Sequence, residues 1–176
     1  LCQELAYSAP PYGRSETAYS KNPIEQISQD PTRFEAPLNF STLKEIHKGQ
    51  SNKPFIIHIQ DAHTNVSGQQ NLAGALDQIM SKYNVSLVLS EGGSQDCSLT
   101  PIKKMAPPEV WRKIAKSYLM QGKITGEEYL NLTSDHPMKI MGLEDMTLYL
   151  RSVQNYADLA AKREEILEYL KVMEGA

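Results

Sequence analysis

The sequence predicts an α/β fold: a small parallel sheet of βαβ units, a helical insertion and a long C-terminal helix. Three observations predict it. Phe55-Ile56-Ile57-His58-Ile59-Gln60 is a run rich in β-branched residues, introduced by Pro54. From Val66 to Tyr83 the apolar residues Leu72, Ala75, Leu76, Ile79, Met80 and Tyr83 recur at helical spacing. Val85-Ser86-Leu87-Val88-Leu89 is a second apolar run, as expected of a strand covered on both faces. Strand, helix and strand at this length make a βαβ unit with a parallel pair.

The remaining elements follow in order. Residues 1–37 are expected to be a disordered or extended arm, because Pro10, Pro11, Pro23, Pro31 and Pro37 interrupt a polar stretch without periodicity. Leu1 to Ser8 reads like the tail of a secretory signal, with Ala6 and Ser8 at the small-residue positions, so export is expected. Leu1-Cys2 also matches the end of a lipoprotein box, which would put a lipid anchor at Cys2. The α/β domain is expected over residues 38–176, as the N-terminal part of a larger domain. A short helix is predicted at Ser41 to Lys48, stopped by Gly49. Pro107-Pro108 opens a helix through Met120, closed by Gly122. Thr125 and Glu128 have capping-box spacing at the start of another helix. Pro137 introduces a third strand, Met138 to Leu143. One helix is then predicted from Asp145 to Met173, about 40 Å long. Its stripe of Val153, Tyr156, Leu159, Ile166, Leu167, Leu170 and Met173 exceeds what a three-stranded sheet can cover, so it is expected to pack against a second copy, as a homo-oligomer through residues 153–173, or against a further C-terminal segment.

Composition narrows the function. The chain has 176 residues, and 40% of them are apolar, enough for one core. Eighteen Lys and Arg against 21 Asp and Glu give a net charge of −3 with no basic block, which argues against a nucleic-acid partner. No apolar run approaches the roughly 20 residues that cross a bilayer, so no integral membrane segment is expected. Cys2 and Cys97 cannot build a disulfide framework or a thiolate zinc site by themselves.

Chemistry is expected where the strands end. In open parallel sheets, ligands bind beyond the carboxyl ends of the strands. The first expected strand runs into Asp61-Ala62-His63, the second into Ser90-Glu91-Gly92-Gly93, and the third into Glu144-Asp145. Parallel neighbours would bring Asp61, His63, Glu91 and Glu144 to one edge. A histidine among carboxylates can bind a divalent metal such as Zn, Mn or Fe, or do general acid–base work without one. Polar residues also follow strands for simpler reasons, because loops are exposed and helices favour acidic N-termini. His58 is read as a satisfied buried histidine, His136 as lying at the opposite sheet edge, and Trp111 as a packing residue.

The stretches Gln60-Asp61-Ala62-His63-Thr64-Asn65, Leu87-Val88-Leu89-Ser90-Glu91-Gly92 and Ile140-Met141-Gly142-Leu143-Glu144-Asp145 resemble three strand-end motifs of the ChaN-like, TraB/TIKI and erythromycin esterase superfamily. By position, His63 matches that group's histidine, Glu91 its glutamate, and Glu144 or Asp145 its later acid. Gln60 and Asp61 depart from it, standing where the group has Gly and Glu. The resemblance implies a hydrolase, metal-assisted, acting on an ester, peptide or lactone bond of a small-molecule or peptide substrate. Its site would have catalytic His63, Glu91 and Glu144 and metal ligands Asp61, His63 and Glu91. Members of the group diverge, so the alternative it implies is an exported, non-enzymatic haem- or metal-binding protein.

Overall fold

The computed structural model describes residues 22–49, 54–63 and 65–174. The signal-like stretch and Cys2 lie outside them. The described residues form a mixed α/β fold of seven α-helices and one three-stranded sheet.

The long amphipathic helix α2 (Val66–Tyr83) is the spine. Asn65 caps its start by accepting the Gly68 N–H at 3.0 Å, and Asn84 ends it in the left-handed conformation, φ 54°. Its buried face carries Ala73, Leu76 and Met80 against Leu130, Met138 and Ile140. A second cluster joins Ile79 and Tyr83 to Ile27. Partly buried Ile59 packs on both clusters, which makes them continuous.

The sheet differs from the expected one. Strand β1 (Leu87–Ser90) pairs in parallel with β3 (Lys139–Leu143), Val88 opposite Ile140 and Ser90 opposite Gly142. The other edge of β3 carries the short β2 (Ser94–Asp96), which runs antiparallel and was not expected. The order is therefore β1-β3-β2, and the sheet is mixed. The turn after β1 folds directly back onto β3, with Gly92 at φ 77°. Gly142 makes this possible: a Cβ there would lie 2.1 Å from the Gly93 carbonyl carbon.

Among the described residues the expected strand at 55–60 joins no ladder, so the predicted βαβ pair of the first and second runs is not formed. Phe55, Ile57 and Ile59 turn toward the core, while Ile56, His58 and Gln60 are exposed. Alternation reports a half-buried extended chain; it does not choose a pairing partner. His58 is consequently a surface residue, against its expected burial. Nor is β1 covered on both faces, since Leu87 and Leu89 are both more than half exposed.

Between β1 and β3 run α3 (Thr100–Lys103), α4 (Pro108–Met120) and α5 (Gly126–Thr133). The capping box of α5 is complete: the Glu128 N–H donates to Thr125 Oγ1, and the Thr125 N–H donates to Glu128 Oε2. Buried Asn131 fastens α5 to the chain on both sides, accepting the Leu99 N–H and donating to the Met138 carbonyl. Trp111 is half-buried, its indole donating to the Lys103 carbonyl between α3 and α4.

Three expectations at the chain's two ends are corrected. The arm is not extended throughout: α1 (Pro23–Gln29) is helical, a 3₁₀ turn follows at Pro31–Arg33, and Ile27 is 1% exposed. The helix expected at 41–48 does not form. The long C-terminal helix is two helices, α6 (Met146–Ala161) and α7 (Arg163–Glu174), broken at Lys162. Nothing in the local sequence accounts for the break. Neither helix has a buried residue.

Candidate functional site

The parallel pair β1 and β3 places the residues after each strand at the same sheet edge. Ser90 and Glu91 leave β1 there, and Glu144 leaves β3. The extended segment 54–60 delivers Asp61, Ala62 and His63 just before α2. The loop is pressed onto the first turn of α2, where the Asn65 N–H donates to the Ala62 carbonyl at 2.8 Å. Gly68 leaves room for it, since a Cβ there would stand 3.2 Å from that carbonyl oxygen.

His63 lies between two carboxylates. Its Nδ1 is 2.8 Å from Asp61 Oδ1, and its Nε2 is 3.7 Å from Glu91 Oε2. The side chains differ in exposure: Asp61 is 13% exposed, His63 70% and Glu91 78%. Asp61 is thus a seated partner behind the ring, and Glu91 faces it from the exposed side. Glu144 Oε1 accepts the Gly92 N–H at 3.4 Å, next to Glu91. Asp145 is otherwise engaged, its Oδ1 capping α6 through the Thr147 and Leu148 N–H groups.

Two supporting residues were not singled out from sequence. Gln69, 4% exposed, donates from Nε2 to Asp61 Oδ1 at 3.0 Å and accepts the Gly126 N–H on Oε1 at 2.7 Å. Ser90 donates to Oε1 of buried Glu127 at 2.8 Å. Both arms of the site therefore end on the first turn of α5. A signal for Gln69 was available: it sits three and four residues before Leu72 and Ala73, on the apolar side of α2. Glu127 had none, because the capping box draws attention to its neighbour.

His136 is remote from this edge and pairs with Asp77 at 2.8 Å. Asp61 meets the imidazole at Nδ1, and Glu91 faces Nε2. Among the described residues, no group of three or more His, Cys, Asp or Glu side chains could hold a metal ion. A groove of about 800 Å³ opens alongside, with Asp61 and Ala62 in its wall together with Phe40, Phe55 and Ile57. Comparison with family models, with characterised proteins and with solved structures gives no match to this chain.

Proposed function

We propose that this edge is a hydrolytic site for an ester, peptide or lactone bond, with His63 as its acid–base residue. The observation that carries the reading is the imidazole between Asp61 and Glu91. Asp61 orients the ring and stabilises the imidazolium. Nε2 takes a proton from the attacking water and returns it to the leaving group, as general base and then general acid. Glu91 faces the same nitrogen from 3.7 Å, on the side where substrate and water would enter. The groove beside Asp61 offers apolar surface to a small-molecule or peptide substrate.

Metal assistance by Zn, Mn or Fe needs a third protein ligand beside His63 and Glu91, and Glu144 is the candidate. No step here is routed through an ion. The exported setting, the likeness to the ChaN-like and erythromycin esterase group, and self-association through residues 153–173 belong to the same proposal.

The test is turnover of p-nitrophenyl acetate and of simple lactones by the purified chain, alongside His63→Ala and metal analysis. Loss of turnover in His63→Ala with the melting temperature unchanged is the expected result. Stoichiometric metal, with turnover lost on chelation, would move the reading to the metal-assisted form. A Soret band with no turnover would replace it with the haem-binding alternative.

A further inference from the structure

The Gly126 N–H can only donate, so the Gln69 atom 2.7 Å from it is the carbonyl Oε1. That choice fixes the whole amide. Its NH₂ group must face Asp61, where Oδ1 lies 3.0 Å away. The same Oδ1 is 2.8 Å from His63 Nδ1. An ionised carboxylate accepts and does not donate, so Nδ1 carries the ring hydrogen and the neutral ring keeps its lone pair on Nε2. That nitrogen is the one facing Glu91.

We infer that Gln69 is a positioning residue that holds Asp61 where it fixes the tautomer of His63. The role serves the hydrolytic site proposed above, which needs Nε2 as the free base. The chain of bonds begins at a backbone group that cannot turn over and ends at an imidazole that is 70% exposed. Its root is shielded from water, since Gln69 and Gly126 are both buried. It is also tightly packed: a Cβ on residue 126 would lie 2.3 Å from the backbone carbonyl oxygen of Gln69, so α5 can approach α2 here only with glycine. Without the amide, Asp61 loses the donor that holds Oδ1, and an exposed ring is free to exchange its hydrogen between the two nitrogens.

A residue that merely satisfied the Gly126 N–H would affect stability and leave the ring alone. Nitrogen-15 spectra of the neutral His63 imidazole, recorded on the alkaline side of its titration, separate the two roles. The wild type should show a protonated, pyrrole-type Nδ1 and an unprotonated Nε2. Gln69→Leu should lose that single signature and shift toward the mixture seen in Asp61→Ala. Gln69→Met, closer in shape, serves the same purpose if Gln69→Leu does not fold. An unprotonated Nδ1 in the wild type would overturn the inference. So would a folded Gln69 variant that keeps the wild-type spectrum while Asp61→Ala loses it. The readout needs no substrate: if the spectra behave as stated and the wild type turns over no ester or lactone, the positioning role stands and the hydrolytic reading falls.

Discussion

His63 shows how an exposed side chain becomes directed. Exposed ion pairs contribute little by themselves, typically below about 1 kcal/mol. The direction comes from Asp61, which is itself seated by Gln69. Two further predictions belong at the scale of single residues. Asp96 on β2 is held below the usual carboxylate range, first by the Ser98 hydroxyl and then by the Ser98 N–H. A depressed folded-state value stabilises the protein above the unfolded value and ceases to do so as pH falls through the folded one. The relevant window therefore lies below about pH 4. Asp96→Asn should flatten the acid limb of a urea-unfolding stability curve there; superimposable limbs would contradict this. Gly142→Ala places a methyl group against the Gly93 backbone. Overpacking of this kind costs about 1–3 kcal/mol. Chemical denaturation should show that loss, and an unchanged midpoint would mean that the β2 turn moves aside freely.

Among the elements, α1 is the main departure from the reading of residues 1–37 as an arm. Its only buried residue is Ile27, which joins Ile79 and Tyr83. Around it, the Phe34 and Tyr83 rings lie 5.4 Å apart, and the Glu35 N–H donates to the Tyr83 hydroxyl at 2.7 Å. Glu35 also pairs with Lys82. One buried side chain is enough to dock so short a helix, and periodicity over seven residues cannot reveal it. Ile27→Ala should cost about 2–5 kcal/mol, read from the thermal midpoint with a calorimetric enthalpy. A cost near zero would show that the segment is not docked in solution. For α5, Thr125→Ala should cost about 0.5–2 kcal/mol, because it removes one half of the capping box.

For the whole molecule, two apolar surfaces lack cover among the described residues. One is the outer face of the sheet, with Leu87, Leu89 and Leu143 each at least half exposed. The other is the pair α6 and α7, where Val153, Leu159, Leu167 and Leu170 are all exposed. Large apolar patches mark association surfaces. Self-association should therefore be visible by light scattering of the wild type, and Leu167→Glu should reduce it without unfolding the protein. A monomeric wild type whose state Leu167→Glu leaves unchanged would show the stripe to be unused. No described helix is long and apolar enough to cross a membrane.

The amphipathic helix 66–83, the capping box at Thr125 and the acids that follow β1 and β3 could all be read from the sequence. Each depends on spacing within a few residues and on propensities that act locally. The identity of Glu91 as a strand-end residue was equally legible, whereas His63 follows a segment that the sheet leaves out. What the tertiary structure decided was pairing. It left segment 54–60 outside the ladder, set β1 beside β3, and turned β2 back antiparallel. It also chose Asp61 as the partner behind the imidazole and made Gln69 and Glu127, on two different helices, the supports of the site. The reason is physical. Hydrophobic period reports which side of a segment is buried, whereas strand order and side-chain hydrogen bonds are settled by which surfaces meet, across separations such as the 57 residues between Gln69 and Gly126.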